Sequence, residues 1–203
     1  MSNRPRDNFL GFFGTVSRDA ERIRTQNTSR LAVLTIGHST HTLAKFVAML
    51  KAHNVVRIVD VRSIPKSRHV PQFDRQTSAA HLRARGIGYV HLKSLGGRRH
   101  TNRDSINGGW RNASFRGYAD YMATREFRLG LMRLLTLARG KHCAILCAEA
   151  LPWRCHRSLI GDALLVRGVP VEDILSAKTR REHVLTPFAR VREITYPTER
   201  TQQ

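Results

Sequence analysis

The segment Cys147-Ala148-Glu149, followed closely by Arg154-Cys155-His156-Arg157-Ser158, gathers thiols, a carboxylate, an imidazole and cations into one short stretch. Its first thiol ends an uninterrupted apolar run, Cys143-Ala144-Ile145-Leu146-Cys147, ahead of the basic start of a helix. A thiol so placed ionises below the usual range and serves as nucleophile or redox group. Arg154, His156 and Arg157 add positive charge, Glu149 is placed to act as acid/base, and Cys155 is a resolving thiol or second ligand. The N–H groups of the helix start, with Ser158 beside them, favour an anion such as phosphate. The gap between Cys147 and Arg154 is one residue longer than cysteine-dependent protein phosphatases require, so that assignment fails.

Two other readings of the same residues stand beside this one. Cys147, Cys155 and His156 are soft metal donors, and His38, Asp60 or Glu149 could complete a shell for zinc or iron. Against a metal, no CxxC or HExxH spacing is present, and neighbours such as Cys155 and His156 rarely ligate one ion when helical. Alternatively, Cys147 is an inert core thiol, since free cysteine is among the most buried residue types.

These side chains need a frame, and the sequence supplies one. Leu31 to Ile36 is a short apolar run closed by Gly37, the mark of a buried strand. Thr42 is a plausible N-cap for a helix carrying Leu43, Phe46, Val47 and Leu50, and Val55 to Val61 is a second, β-branched strand. A helix over 76–85, a strand over Tyr89–Leu92, and a helical pattern over Gly117–Arg139 broken near Thr124 continue the alternation. Cys143–Cys147 is then a strand, His156–Arg167 a helix and Val169–Leu175 a return to the sheet. Alternating strands and helices predict a single three-layer α/β domain over 31–177, Rossmann- or flavodoxin-like, with a mostly parallel sheet. A basic arm, 1–30, with Phe9, Phe12 and Phe13 docking on the body, precedes it. A basic tail, 178–203, follows, with Val191–Tyr196 as a candidate edge strand.

Parallel sheets bind ligands beyond the carboxyl ends of their strands. Those ends deliver His38 and Ser39, then Asp60, Arg62 and Ser63, then His91, then Cys147 and Glu149. His38 makes an N-cap or loop hydrogen bond, or, because Ser39, Thr40 and Thr42 already supply capping groups, is left to face a ligand. Asp60 and Arg62 are expected on opposite faces, with Asp60 toward the pocket or salt-bridged to a loop arginine. The loop Pro65–His69 is a phosphate-facing basic loop or a solvated turn, and Trp110, Phe115, Tyr118 and Trp153 are base-stacking or core residues.

Composition narrows the class of function. The chain of 203 residues carries 35 Lys and Arg against 15 Asp and Glu, a net charge of +20, and Arg outnumbers Lys by 29 to 6. An arginine excess suits an anionic partner, phosphorylated or nucleic acid, although a codon bias would produce the same count. No apolar stretch is long enough for a membrane span, and three cysteines do not make a secreted disulfide framework, so a reducing cytoplasmic setting is expected. There is no glycine-rich dinucleotide fingerprint and no Walker loop. No cofactor and no oligomeric state can be named on this basis.

The residues at these strand ends resemble a bacterial family, the domain of unknown function numbered 488. The matching stretches are Thr35-Ile36-Gly37-His38-Ser39-Thr40, Asp60-Val61-Arg62-Ser63 with Pro65 and Ser67, and Leu95-Gly96-Gly97. Gly117-Tyr118-Ala119-Asp120-Tyr121-Met122, Cys147-Ala148-Glu149 and Cys155-His156-Arg157-Ser158-Leu159-Ile160 complete them, so the likeness runs from about Leu31 to Leu175. The resemblance implies a cytoplasmic α/β domain and marks the same strand ends, and it supplies no substrate. The expectation is an enzyme using a Cys/Glu/Cys-His-Arg pocket on a phosphorylated or nucleic-acid-derived substrate. The alternatives are a non-catalytic nucleic-acid-binding module or a metal-binding protein.

Overall fold

The computed structural model of the chain describes residues 32–191 and 194–198. The expected arm and its phenylalanines lie outside the described residues. The elements run β1 (Val33–Gly37), α1 (Leu43–Ala52), β2 (Arg57–Asp60), α2 (Arg75–Arg83), β3 (Gly88–His91), α3 (Ala113–Met122) and α4 (Arg125–Ala138). Then come β4 (Cys143–Cys147), α5 (Arg157–Leu165), β5 (Val171–Ile174) and β6 (Arg180–Glu182). The six strands form one mixed sheet in the order β3-β2-β4-β1-β5-β6, parallel throughout except for the antiparallel β5–β6 pair. β1 and β4 lie near its centre and are buried at every residue, as their apolar runs require.

Side chains that alternate along a strand feed opposite faces of the sheet. Val33, Val59, Cys143 and Ile145 pack in one core with apolar residues of α3, α4 and α5. Leu34, Ile36, Ile58, Ala144 and Leu146 pack in a second core with residues of α1 and α2. The helix after β1 therefore goes to one side of the sheet and the helix after β4 to the other.

Local chemistry sets the boundaries. Thr42 caps α1 by accepting from the Lys45 N–H at 3.2 Å, and Thr124 caps α4 by accepting from Phe127 N–H at the same distance, which explains the expected break. The edge strand lies elsewhere than expected. Within Val191–Tyr196 the described residues contribute only an isolated antiparallel bridge, Arg190 to Thr195, and the strand that pairs with β5 is Arg180–Glu182. Among the described residues no helix is long and apolar enough to cross a membrane.

Candidate functional site

β1 and β4 are adjacent and parallel, Gly37 stands opposite Cys147, and the helices that follow diverge to opposite faces. A parallel sheet opens a crevice at such a point. Here it is a cavity of about 630 Å³ lined by His38, Ser39, Arg62, Ser63, Cys147, Glu149, Arg154, Cys155 and His156, together with loop residues. The approach of the two strands requires glycine at position 37. A Cβ there would stand 1.7 Å from the Glu149 carbonyl oxygen.

At the cavity floor two sulfurs meet one imidazole. His156 Nδ1 lies 3.9 Å from Cys147 Sγ and 3.6 Å from Cys155 Sγ, and the three donor atoms all fall within 4.8 Å of one another. The other ring nitrogen, Nε2, donates to the Val61 carbonyl at 3.2 Å, so Nδ1 turns its lone pair to the sulfurs when the ring is neutral. Gly97 makes room for this ring, since a Cβ there would stand 2.3 Å from Nδ1, and Tyr118 packs on it with centroids 4.9 Å apart. The hydrogen bond from the Cys155 thiol, helped by His156 and the charge of Arg157, holds the Cys147 thiol well below the usual value against the cost of burial. Burial and that same donated bond push Cys155 well up. Cys143, at the far end of β4 and outside the cavity, is pushed up to about 12 by burial.

Two of the arginines take unexpected positions. The expectation that Asp60 and Arg62 point to opposite faces fails, because residues two apart share a side, and here they form a buried pair. Arg62 Nη2 lies 2.6 Å from Asp60 Oδ2, and Asp60 also accepts from the Arg62 N–H and the Tyr89 hydroxyl. It is therefore Arg62 that lines the cavity, with Asp60 fully buried behind it. Arg62 Nη1 in turn donates to His38 Nε2 at 3.1 Å, while His38 Nδ1 donates to the Ser39 carbonyl. That pattern fixes His38 as neutral, and burial lowers its pKa further. His38 and Asp60 are thus committed to other partners, and neither can complete a metal shell.

Arg157, expected to bind an anion, is 1% exposed and does not line the cavity. Its Nη1 and Nη2 donate to the Glu149 and Ala150 carbonyls at 2.6 and 2.8 Å, so it anchors the loop after β4. Those partners are neutral carbonyls, which leaves its charge to act on the thiols. Ser158 donates to the Cys155 carbonyl and faces a different cavity. The rim is cationic: Lys66, Arg98 and Arg154 are exposed along it, with His69 beside them, and Glu149 is the one carboxylate among the lining residues.

With this geometry in place, comparison with known proteins gives one match. The family model described as Domain of unknown function DUF488 covers residues 42–164, more than half of the chain. The chain belongs to the DUF488 family. No curated protein and no solved structure matches it significantly. In this DUF488 chain the matched segment takes in Asp60, Arg62, Cys147, Cys155 and His156, and leaves His38 and Ser39 just ahead of it.

Sequence reasoning on the DUF488 chain missed Tyr89, whose hydroxyl holds Asp60, and singled out Gly97 without its role, which is to seat His156 by its lack of a side chain. Gly97 had a visible signal in the Gly-Gly pair ahead of Arg98, but its contact partner lies far along the chain. It also missed a buried cluster of Asp162, Asp173, His183 and Tyr196, which no local spacing announces.

Proposed function

We propose that this protein is an enzyme that acts on a phosphorylated or nucleic-acid-derived substrate with Cys147 as its nucleophile. The observation that carries this reading is the convergence of Cys147, Cys155 and His156 at the floor of a cavity with a cationic rim. His156 Nδ1 takes the Cys147 proton, and the thiolate attacks the electrophilic centre of the substrate. The sulfur–substrate bond forms as the leaving group departs, and the imidazolium returns its proton to that group. Water, with Glu149 of the cavity lining as base, then cleaves the covalent intermediate and regenerates the thiol. Lys66, Arg98 and Arg154 supply charge for the anion, and Phe115 offers an aromatic wall.

The same reading takes the fold as a three-layer, Rossmann- or flavodoxin-like arrangement, supported by two cores on opposite faces of the sheet. It takes the setting as cytoplasmic and reducing, supported by three cysteines that are all free. The test is Cys147→Ser assayed against a panel of phosphorylated and nucleic-acid-derived compounds. Turnover should fall by about 1,000-fold or more while the melting temperature stays within a few degrees. A variant that keeps its turnover removes the nucleophile. A chain that turns over nothing, yet binds nucleic acid equally well with either residue at 147, is a binding module instead.

A further inference from the structure

We infer that Cys147, Cys155 and His156 form a three-ligand site, open to the cavity, for one zinc-class divalent cation. The inference rests only on reading this triangle as the reaction centre: with the ion bound, Cys147 and His156 are ligands rather than nucleophile and base, and the nucleophilic chemistry proposed above belongs to the metal-free chain. Two thiolates and an imidazole are a donor set that zinc takes, and three protein ligands with one open position is the pattern of sites that admit an outside ligand. Harder cations such as magnesium and calcium need oxygen donors, which the triangle lacks.

The spacing fits such a shell. With metal–sulfur bonds near 2.3 Å and metal–nitrogen bonds near 2.0–2.1 Å, a tetrahedron has sulfur-to-nitrogen edges of roughly 3.5 Å and a sulfur-to-sulfur edge of roughly 3.8 Å. The two sulfur-to-Nδ1 distances are 3.9 and 3.6 Å. The backbone also removes the objection raised by the adjacency of two ligands. Cys155 is extended, with φ −135° and ψ 143°, and His156 is helical, with φ −55° and ψ −16°. Neighbouring side chains therefore turn onto one point rather than fanning apart around a helix.

The surroundings are those of a ligating histidine. The bond from Nε2 to the Val61 carbonyl selects the tautomer whose Nδ1 can bind a metal, as an outer partner does in metal sites. Charge then chooses the fourth ligand. Two thiolates cancel a dication, and the buried guanidinium of Arg157 with the cationic rim leaves a positive excess that an anion at the open position would offset. That anion belongs to the substrate class proposed above.

The experiment uses the full-length chain, reduced and stripped with a chelator, then titrated with cobalt(II) alone and read by absorption. Saturation at one cobalt per chain is expected, with thiolate-to-cobalt charge transfer, tetrahedral ligand-field bands and displacement by zinc(II). Cys155→Ser should weaken cobalt binding by more than the roughly 100-fold that loss of an outer partner costs. Cys143→Ser should leave the spectrum unchanged. In the wild type, zinc(II) should protect both Cys147 and Cys155 from alkylation until chelator is added, a readout that requires no variant to fold. Absence of the charge-transfer band, or zinc that protects neither sulfur, overturns the site. If Cys147 in the stripped chain still alkylates fast in that event, the nucleophile reading survives. A cobalt band together with an inert Cys147 in the stripped chain does the reverse.

Discussion

Two imidazoles in this protein each sit between a pair of acids. His183 lies between two carboxylates, with Nδ1 3.2 Å from Asp173 and Nε2 3.1 Å from Asp162. Burial alone would lower its pKa, but the bonds to Asp162 and Asp173 outweigh burial and push it up to about 9. The carboxylates spend their remaining capacity nearby: Asp162 accepts from the Tyr196 hydroxyl and the Thr186 N–H, and Asp173 accepts from the Thr35 hydroxyl. His156 lies between two sulfurs, uses Nε2 on one carbonyl, and aims Nδ1 at weakly held thiols on a cavity floor. A second cavity, about 450 Å³, borders Asp173 and His183, yet the polar atoms of that cluster are already paired. A saturated buried cluster holds the fold together, whereas donor capacity left open beside a cavity is available for chemistry.

The comparison predicts a division of effects. Asp162→Ala leaves a tyrosine hydroxyl and an N–H without a partner and the buried imidazolium with one carboxylate instead of two, and should cost about 3–5 kcal/mol. Thermal melting should fall by roughly 10 °C or more in a chain of this size. The surviving fraction at low temperature should keep fast alkylation at Cys147. Loss of that reactivity in folded Asp162→Ala would join the two clusters and end the distinction. Gly97→Ala works the other way. Its Cβ would press on His156 Nδ1, and misplacing the ring should slow Cys147 alkylation by about 100-fold while lowering the melting temperature less than Asp162→Ala does. An unchanged alkylation rate would show that the imidazole does not activate the sulfur.

A pH series tests the saturated side. The folded pKa of His183 is raised from 6.5 to about 9, so its contribution to stability is complete below 6.5 and is lost as pH rises through 9. Melting temperature should therefore decline across that window, and His183→Gln should flatten the decline. A wild-type curve no steeper than the variant's would refute the ion pairing. The smallest effect is expected at Cys143. Cys143→Ala removes one sulfur from a closed core, should cost about 1 kcal/mol, and should leave the alkylation pattern of the other cysteines as it was.

Much of this arrangement can be read from local spacing. Thr42 and Thr124 are capping residues followed by apolar periodicity, and the apolar runs of β1 and β4 announce central parallel strands. Because parallel strands share an end, Gly37-His38, Arg62 and Cys147 must approach one another, and they do. What escapes depends on the direction of long side chains. Arg157 looks like a surface cation by type, but it is turned inward by two carbonyls that only the folded loop brings together. Arg180-Arg181-Glu182 has no apolar face at all and still pairs as an edge strand, because β5 offers free backbone groups and an edge asks nothing of the side chains. Val191–Tyr196 has the more strand-like composition and yet forms only a bridge among its described residues.

The cavity is assembled from two kinds of material. Its floor is the fixed end of a sheet, where Cys147 is locked by pairing to β1 and His156 by its bond to Val61. Its rim is built from exposed positions, Lys66, His69, Arg98 and Arg154, which come from three separate connections, with Ser114 of α3 beside them. Each connection can be lengthened, shortened or recharged without disturbing the strands below. Reactivity and selectivity are thereby separable traits, and loops exchanged between chains of this kind should transfer preference for a substrate while the reaction itself stays put.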